Sequence, residues 1–180
     1  DSGPVYLQAR IPISDADDAE NLSIRLSGLG ALKLLEALAL IEEEKLKPVP
    51  QDHARSTYAP MLTKEDGKID WGKDPRSIHN MLRGLVPWPC AYTYLDGKML
   101  KIMSGSYEID EHGIMYGTLL KEKSGVKIAC AGGYIIPKIL QLEGKKALDA
   151  TAFSCGLKTD RAILGHKETL CSWHHQSSHL

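Results

Sequence analysis

The sequence predicts two fold classes in series: an α/β remnant, then an all-β unit of the OB-like, Greek-key barrel type. Three observations carry this reading. Apolar residues recur at helical spacing from Leu22 to Ile41. From Ala91 onward the period shortens to that of strands, and Asp96-Gly97 is a strong short-range hairpin signal. Between the two, Pro48, Pro50, Pro60 and Gly67 interrupt a stretch without a sustained period, as a connector would. The expected organisation is residues 1–46 for the α/β remnant, 47–74 for the connector, 75–165 for a helix plus barrel, and 166–180 for a disordered or non-native tail.

In chain order, Val5, Leu7, Ala9 and Ile11 alternate with other residues, so 4–13 is predicted as a partly covered strand. The chain opens on Asp1 rather than Met, with no earlier strand to pair with this one, and is expected to be a fragment. Ser14 with Asp17, or Asp15 with Asp18, supplies the acceptors that start a helix. Leu22, Leu26, Leu29, Leu32, Leu35, Leu38 and Ile41 are assigned to one buried stripe of it. Gly28 and Gly30 cost helix propensity, which predicts a compensating close contact there. Pro48 and Pro50 end the helix. Asp74 caps a second helix with Pro75 in its first turn, and Ile78, Met81, Leu82 and Leu85 face inward. Strands follow at 91–95, 98–102, 107–109, 117–120, 126–130 and 134–136, with Pro137 arguing for an edge or bulge and a short helix starting at Asp149.

Apolar residues make up 43% and charged residues 25% of 180, which is ordinary for a soluble globular chain. No apolar run approaches the ~20 residues that span a bilayer. The opening residues lack the pattern of a secretory leader, and four widely spaced cysteines read as reduced thiols, so a cytoplasmic location is expected. Residues 1–52 hold ten acids against five bases, whereas 53–180 hold thirteen acids against seventeen bases. The second part therefore has the charge sign of a polyanion binder, at modest strength.

The string from Thr57 to Trp71, T-Y-A-P-M-L-T-K-E-D-G-K-I-D-W, resembles the interdomain linker of methionyl-tRNA formyltransferases, with Met61 where that family commonly has Lys. Further segments agree in order. Ile78-His79-Asn80-Met81-Leu82-Arg83-Gly84 and Pro87-Trp88-Pro89 are similar to family motifs, as is Leu140-Gln141-Leu142-Glu143-Gly144-Lys145-Lys146, which has Leu142 where Pro is usual. Asp1-Ser2-Gly3-Pro4-Val5 resembles the D-T/S-G-P loop of folate-dependent formyltransferases. The resemblance covers roughly residues 1–165. It implies a Rossmann-like formyltransferase domain, here reduced to its last strand and helix, followed by a linker and an OB-like domain.

The implied activity is transfer of a formyl group from formyltetrahydrofolate to the amino group of initiator methionyl-tRNA, by a monomer with no membrane partner and no metal. Of the family's Asn, His and Asp, the resemblance assigns only the Asp, which is Asp1. The fragment alone is therefore expected to be inactive. Lys64, Lys68, Arg83, Lys145 and Lys146 are the candidates for RNA contact. Trp71, Trp88 and Tyr92 are expected to pack rather than stack on bases. Cys171, His174, His175 and His179 share no metal-binding spacing. The competing functions are a non-catalytic RNA-binding module, a formyltetrahydrofolate hydrolase, and a formyltransferase acting on amino-sugar nucleotides.

Overall fold

The computed structural model describes residues 2–165. Asp1 and the tail residues 166–180 lie outside them, and with them the expectations placed on Asp1 and the tail. The chain divides at Leu62/Thr63 into two compact units, inside the stretch read as a connector.

In the first unit, helix α1 spans Ala19–Glu42. The Asp18 side chain caps it by accepting the Asn21 N–H at 2.8 Å. Asp17 does a different job: its carboxylate accepts the Ser14 N–H at 2.7 Å and Arg25 Nη1 at 2.6 Å. The Ser14 amide, then Arg25, hold that carboxyl below its ordinary range. Three expectations fail in this unit. The strand predicted over 4–13 is a single antiparallel bridge, Val5 to Val49, with both hydrogen bonds at 2.9 Å. A strand needs neighbours along its length, and among the described residues only the connector pairs with it. No residue of α1 is buried, and Leu26, Leu32, Leu35, Leu38 and Ile41 are 40–67% exposed. Nor do they form the single stripe expected, and their spacing shows why. Steps of three residues fall about 60° short of a full turn each, so these side chains wind round the axis instead of sharing one stripe. A Cβ on Gly28 or Gly30 would meet nothing within 4 Å, so the compensating contact is absent among the described residues.

The second unit is a curled antiparallel sheet, a half-barrel compatible with an OB-like β fold. Its strands are β1 Ala91–Leu95, β2 Lys98–Ile109, β3 Thr118–Glu122, β4 Gly125–Cys130, β5 Gly133–Leu142, β6 Leu148–Asp149 and β7 Arg161–Ile163. The spatial order is β1-β2-β5-β4-β3-β7, with β6 on β5. Asp96 and Gly97, both at positive φ, make the β1–β2 turn as the sequence predicts. The two strands expected at 98–102 and 107–109 are one 12-residue strand, bent by register shifts on either side of Ser104. Pro137 sits opposite Gly105, next to those shifts. The bulge is therefore as expected, but β5 is a central strand rather than an edge. Strands β6 and β7 were not expected; two and three residues are too short for a period to show.

Helix α2 spans Pro75–Gly84, capped by Asp74, whose Oδ1 accepts the Ser77 N–H at 2.9 Å. It packs on β2 and β5 through Ile78 and Leu82. Helix α3, Ala150–Cys155, is capped by Asp149 and buries Phe153. Alternate residues of the strands complete the core, among them Leu100, Ile102, Leu119, Ile128, Ile135 and Leu140. Cys130 is buried there too, and burial, then the charge of Asp74, raises its thiol to about 11.

Candidate nucleic-acid interface

Residues 63–71, the second half of the linker string, are built into the sheet unit rather than hung between domains. Asp66 folds the start: one carboxylate oxygen accepts both the Thr63 N–H at 2.6 Å and the Thr63 hydroxyl at 2.9 Å. Those bonds hold its carboxyl below the ordinary range, the backbone amide contributing most. A 3₁₀ turn at Glu65–Gly67 follows, with Lys64 and Lys68 exposed at its two ends. Gly67 is there for space, since a Cβ would sit 2.4 Å from the Cys90 carbonyl oxygen. The turn delivers Lys68 into a parallel bridge with Tyr92, and the Ile69 N–H donates to the Tyr92 carbonyl at 2.8 Å.

Ile69 and Trp71 then point into the core while Asp70 stays outside, accepting the Gly72 N–H at 2.9 Å. The Trp71 indole N–H donates to the Thr93 hydroxyl at 3.3 Å, and its carbonyl accepts the Ala131 N–H at 3.2 Å. Gly117, at φ +80°, leaves room for that indole. The strap thus joins the outer edge of β1 to the end of β4, and Gly165 adds a bond to the Tyr94 carbonyl at 3.0 Å. Together they cover backbone groups that a bare edge strand would offer to another chain.

The register places a polar row on the outer face. Lys68 neighbours Tyr92, which pairs with Lys101, which pairs with Gln141. Lys101 was missed in the sequence, because only the register puts it in line with Lys68. Tyr92 itself is buried, with its ring edge-on to Tyr94 at 5.9 Å, and burial raises its phenol above the ordinary value. Trp71 and Tyr92 therefore pack as expected, but Trp88 is 54% exposed.

The remaining candidates lie on separate elements. Arg83 is half-buried in the last turn of α2, and its Nε donates to Asn80 Oδ1 at 3.1 Å. Lys145 and Lys146 stand exposed on the β5–β6 loop, where Gly144 at positive φ makes the turn. That loop also borders a groove that Lys158 lines too, a residue no local signal marked. No group of three or more metal-ligating side chains occurs among the described residues. Among them, too, no helix is long and apolar enough to cross a membrane.

The family model for the formyl transferase C-terminal domain matches residues 61–158. A methionyl-tRNA formyltransferase of Geotalea daltonii is 45% identical over 170 residues, 93% of this chain and 54% of that protein. One of Acetivibrio thermocellus is 39% identical over 168 residues, 92% of this chain and 54% of that protein. HypX from Aquifex aeolicus, a variant crystal structure, shares the fold at TM-score 0.63 and 21% identity, over 87% of this chain and 29% of that one. A second HypX structure, in complex with tetrahydrofolic acid, gives TM-score 0.59 at 19% identity, over 90% of this chain and 31% of that one. The chain spans about half the length of the curated relatives it matches. With the family model fitting more than half of its residues, the chain belongs to the formyl transferase C-terminal domain family.

Proposed function

We propose that this chain is the C-terminal part of a cytoplasmic methionyl-tRNA formyltransferase. The whole enzyme transfers a formyl group from formyltetrahydrofolate to the α-amine of initiator methionyl-tRNA, as a monomer. The observation that carries this is the 45% identity to a methionyl-tRNA formyltransferase along 93% of the chain. The names of the curated relatives favour the tRNA enzyme over the hydrolase and the amino-sugar enzyme. In this reading residues 1–46 close a Rossmann-like formyltransferase domain, 47–74 are the linker, its second half docked on the sheet unit, and 75–165 are an OB-like Greek-key barrel.

The chemistry divides accordingly. The neutral amine attacks the formyl carbon, an oxyanion forms and collapses, the bond to the folate nitrogen breaks, and the proton lost by the attacking nitrogen is balanced by one gained at the departing folate nitrogen. Such a reaction needs preorganised donors at the oxygen and a group to manage the proton. Asp1 supplies one member of that set, and the Asn and His that complete it belong to the upstream part. One missing oxyanion donor costs roughly 2.7–4 kcal/mol, and without most of the folate pocket as well the 180-residue chain has no route to turnover by itself. Its own share is RNA contact. Lys68 and Lys101 neighbour Tyr92 in the register, Lys64 is exposed at the start of the preceding turn, and Arg83, Lys145 and Lys146 stand on other elements; phosphates are held by such cations in a salt-dependent way.

The test is a chimera carrying the upstream half of the Geotalea daltonii protein ahead of this chain. Formylated methionyl-tRNA, read by mass, is expected from the chimera and not from the chain alone. A folded chimera that binds folate but formylates only an amino-sugar nucleotide, or nothing, refutes the reading.

A further inference from the structure

The groove beside Lys145 and Lys146 has a shape and chemistry that RNA contact does not use. Its volume is about 610 Å³, and its floor is formed by Leu95, Leu140, Leu142, Leu148, Phe153 and Leu157. That floor is continuous with the core, since Leu140 and Phe153 belong to the buried cluster and Leu142 and Leu157 pack against it. Leu148 nevertheless remains 42% exposed on the two-residue strand β6. A cavity of roughly 300–1,000 Å³ with an apolar lining and few polar groups is the usual form of a small-molecule site.

The rim decides the charge of the occupant. Lys145 and Lys146 stand on the β5–β6 loop and Lys158 follows α3, against the single carboxylate of Asp96 at the β1–β2 turn. The acid nearest Lys145 in sequence, Glu143, is engaged elsewhere: its carboxylate accepts the Met99 N–H at 3.0 Å, and it lines a separate hollow with Met99 and Lys101. Among the described residues no ion pair engages Lys145, Lys146 or Lys158. The loop is braced for this arrangement, with the Lys145 N–H on the Leu142 carbonyl at 2.9 Å and Gln141 Nε2 on the Lys145 carbonyl at 3.1 Å. The floor argues against a nucleobase. Bases bind to open aromatic faces, whereas the one aromatic residue of the lining, Phe153, is buried.

We infer that this groove is a binding site for a small anionic amphipath, with an aliphatic body on the leucine floor and a carboxylate or phosphate head among Lys145, Lys146 and Lys158. The inference is independent of formyl transfer. It shares Lys145 and Lys146 with the proposed RNA contacts, but Lys158 belongs to the groove alone.

The test is a titration of the full 180-residue chain with decanoate, followed residue by residue by amide NMR shifts. Decyl glucoside serves as the uncharged comparison and inorganic phosphate as the head without a body. Saturable shifts are expected at Leu95, Leu142, Leu148 and Leu157, with affinity at least about tenfold weaker for decyl glucoside and no saturation with phosphate. K158Q is expected to weaken decanoate severalfold and leave tRNA binding unchanged, which separates failure here from failure of the RNA reading. L148Q, an exposed position that does not threaten the fold, is expected to weaken decanoate too. Shifts confined to α1, equal binding of decyl glucoside, or unchanged affinity in both variants would overturn the assignment. So would displacement of decanoate by a short acidic peptide or an RNA oligomer that binds the groove more tightly.

Discussion

Replacing Gly67 by Ala tests whether the strap is part of the folded unit or a passive connector. The added methyl lies 2.4 Å from the Cys90 carbonyl oxygen and 3.1 Å and 3.2 Å from the Tyr92 ring. Real contacts of this kind stay above 3.0 Å, so the neighbours must give by more than half an ångström. Neither is loose. The Cys90 oxygen is backbone at the entry to β1, and the Tyr92 ring is buried and edge-on to Tyr94. Overpacking of this kind costs about 1–3 kcal/mol. Loosening the adjacent bond from Ile69 to the Tyr92 carbonyl adds about 0.5–1.5 kcal/mol. For a unit of about 100 residues the sum, about 1.5–4.5 kcal/mol, corresponds to a fall in melting temperature of roughly 7–21 °C. The assay is thermal unfolding followed by near-ultraviolet circular dichroism, which reports on packed Trp71 and Tyr92. Gly84→Ala is the control, since its Cβ meets nothing within 4 Å at the end of α2; it should be neutral or stabilise by about 0.4–1 kcal/mol. A Gly67→Ala protein melting within about 2 °C of the parent would refute the reasoning.

Two further outcomes follow from burial and capping. Leu82 is 1% exposed and Leu35 is 66% exposed. Leu82→Ala is therefore expected to cost about 2–5 kcal/mol in urea unfolding, and Leu35→Ala less than about 0.5 kcal/mol. Equal effects would show that α1 is packed after all. Asp74 has its carboxyl held below the ordinary carboxylate range by the Ser77 hydrogen bonds at the start of α2. A depressed carboxyl contributes stability that is complete above the unfolded value and is lost as pH falls through the folded one. Asp74→Asn keeps a capping acceptor without the titration, so the parent's advantage over it at pH 6 should shrink as pH falls below the ordinary carboxylate value and be lost once the folded carboxyl is protonated. A difference constant across that range would exclude the cap as its source.

What was legible in the sequence was whatever a few adjacent residues decide by themselves. Asp74-Pro75 starts α2, Asp149 starts α3 and Asp96-Gly97 turns β1 into β2, because each is a local bond or a local dihedral. The linker string was legible as a resemblance, but its role was not. That Ile69 and Trp71 fill the core while Lys64 and Lys68 stay outside depends on the edge of β1, some twenty residues later. Lys101 carried no signal for the same reason: a register puts it beside Lys68. The strand predicted over 4–13 failed because alternation states what a strand needs and not whether a neighbour provides it.

Helix α1 fails in the most instructive way. Its apolar residues were read as one face because threes and fours look alike in a sequence. In fact Leu26, Leu29, Leu32, Leu35, Leu38 and Ile41 step by three throughout, and six such positions travel most of the way round the axis. A helix apolar on every side belongs in an interior with layers on more than one face. Exposure of 40–67% at Leu26, Leu32, Leu35, Leu38 and Ile41 is what such a helix shows where the described residues supply none of those layers. An α/β body ahead of α1, as the proposed function has it, would supply such layers. It makes a demand of its own: in the chimera, Leu32 and Leu38, on different sides of α1, must both become buried.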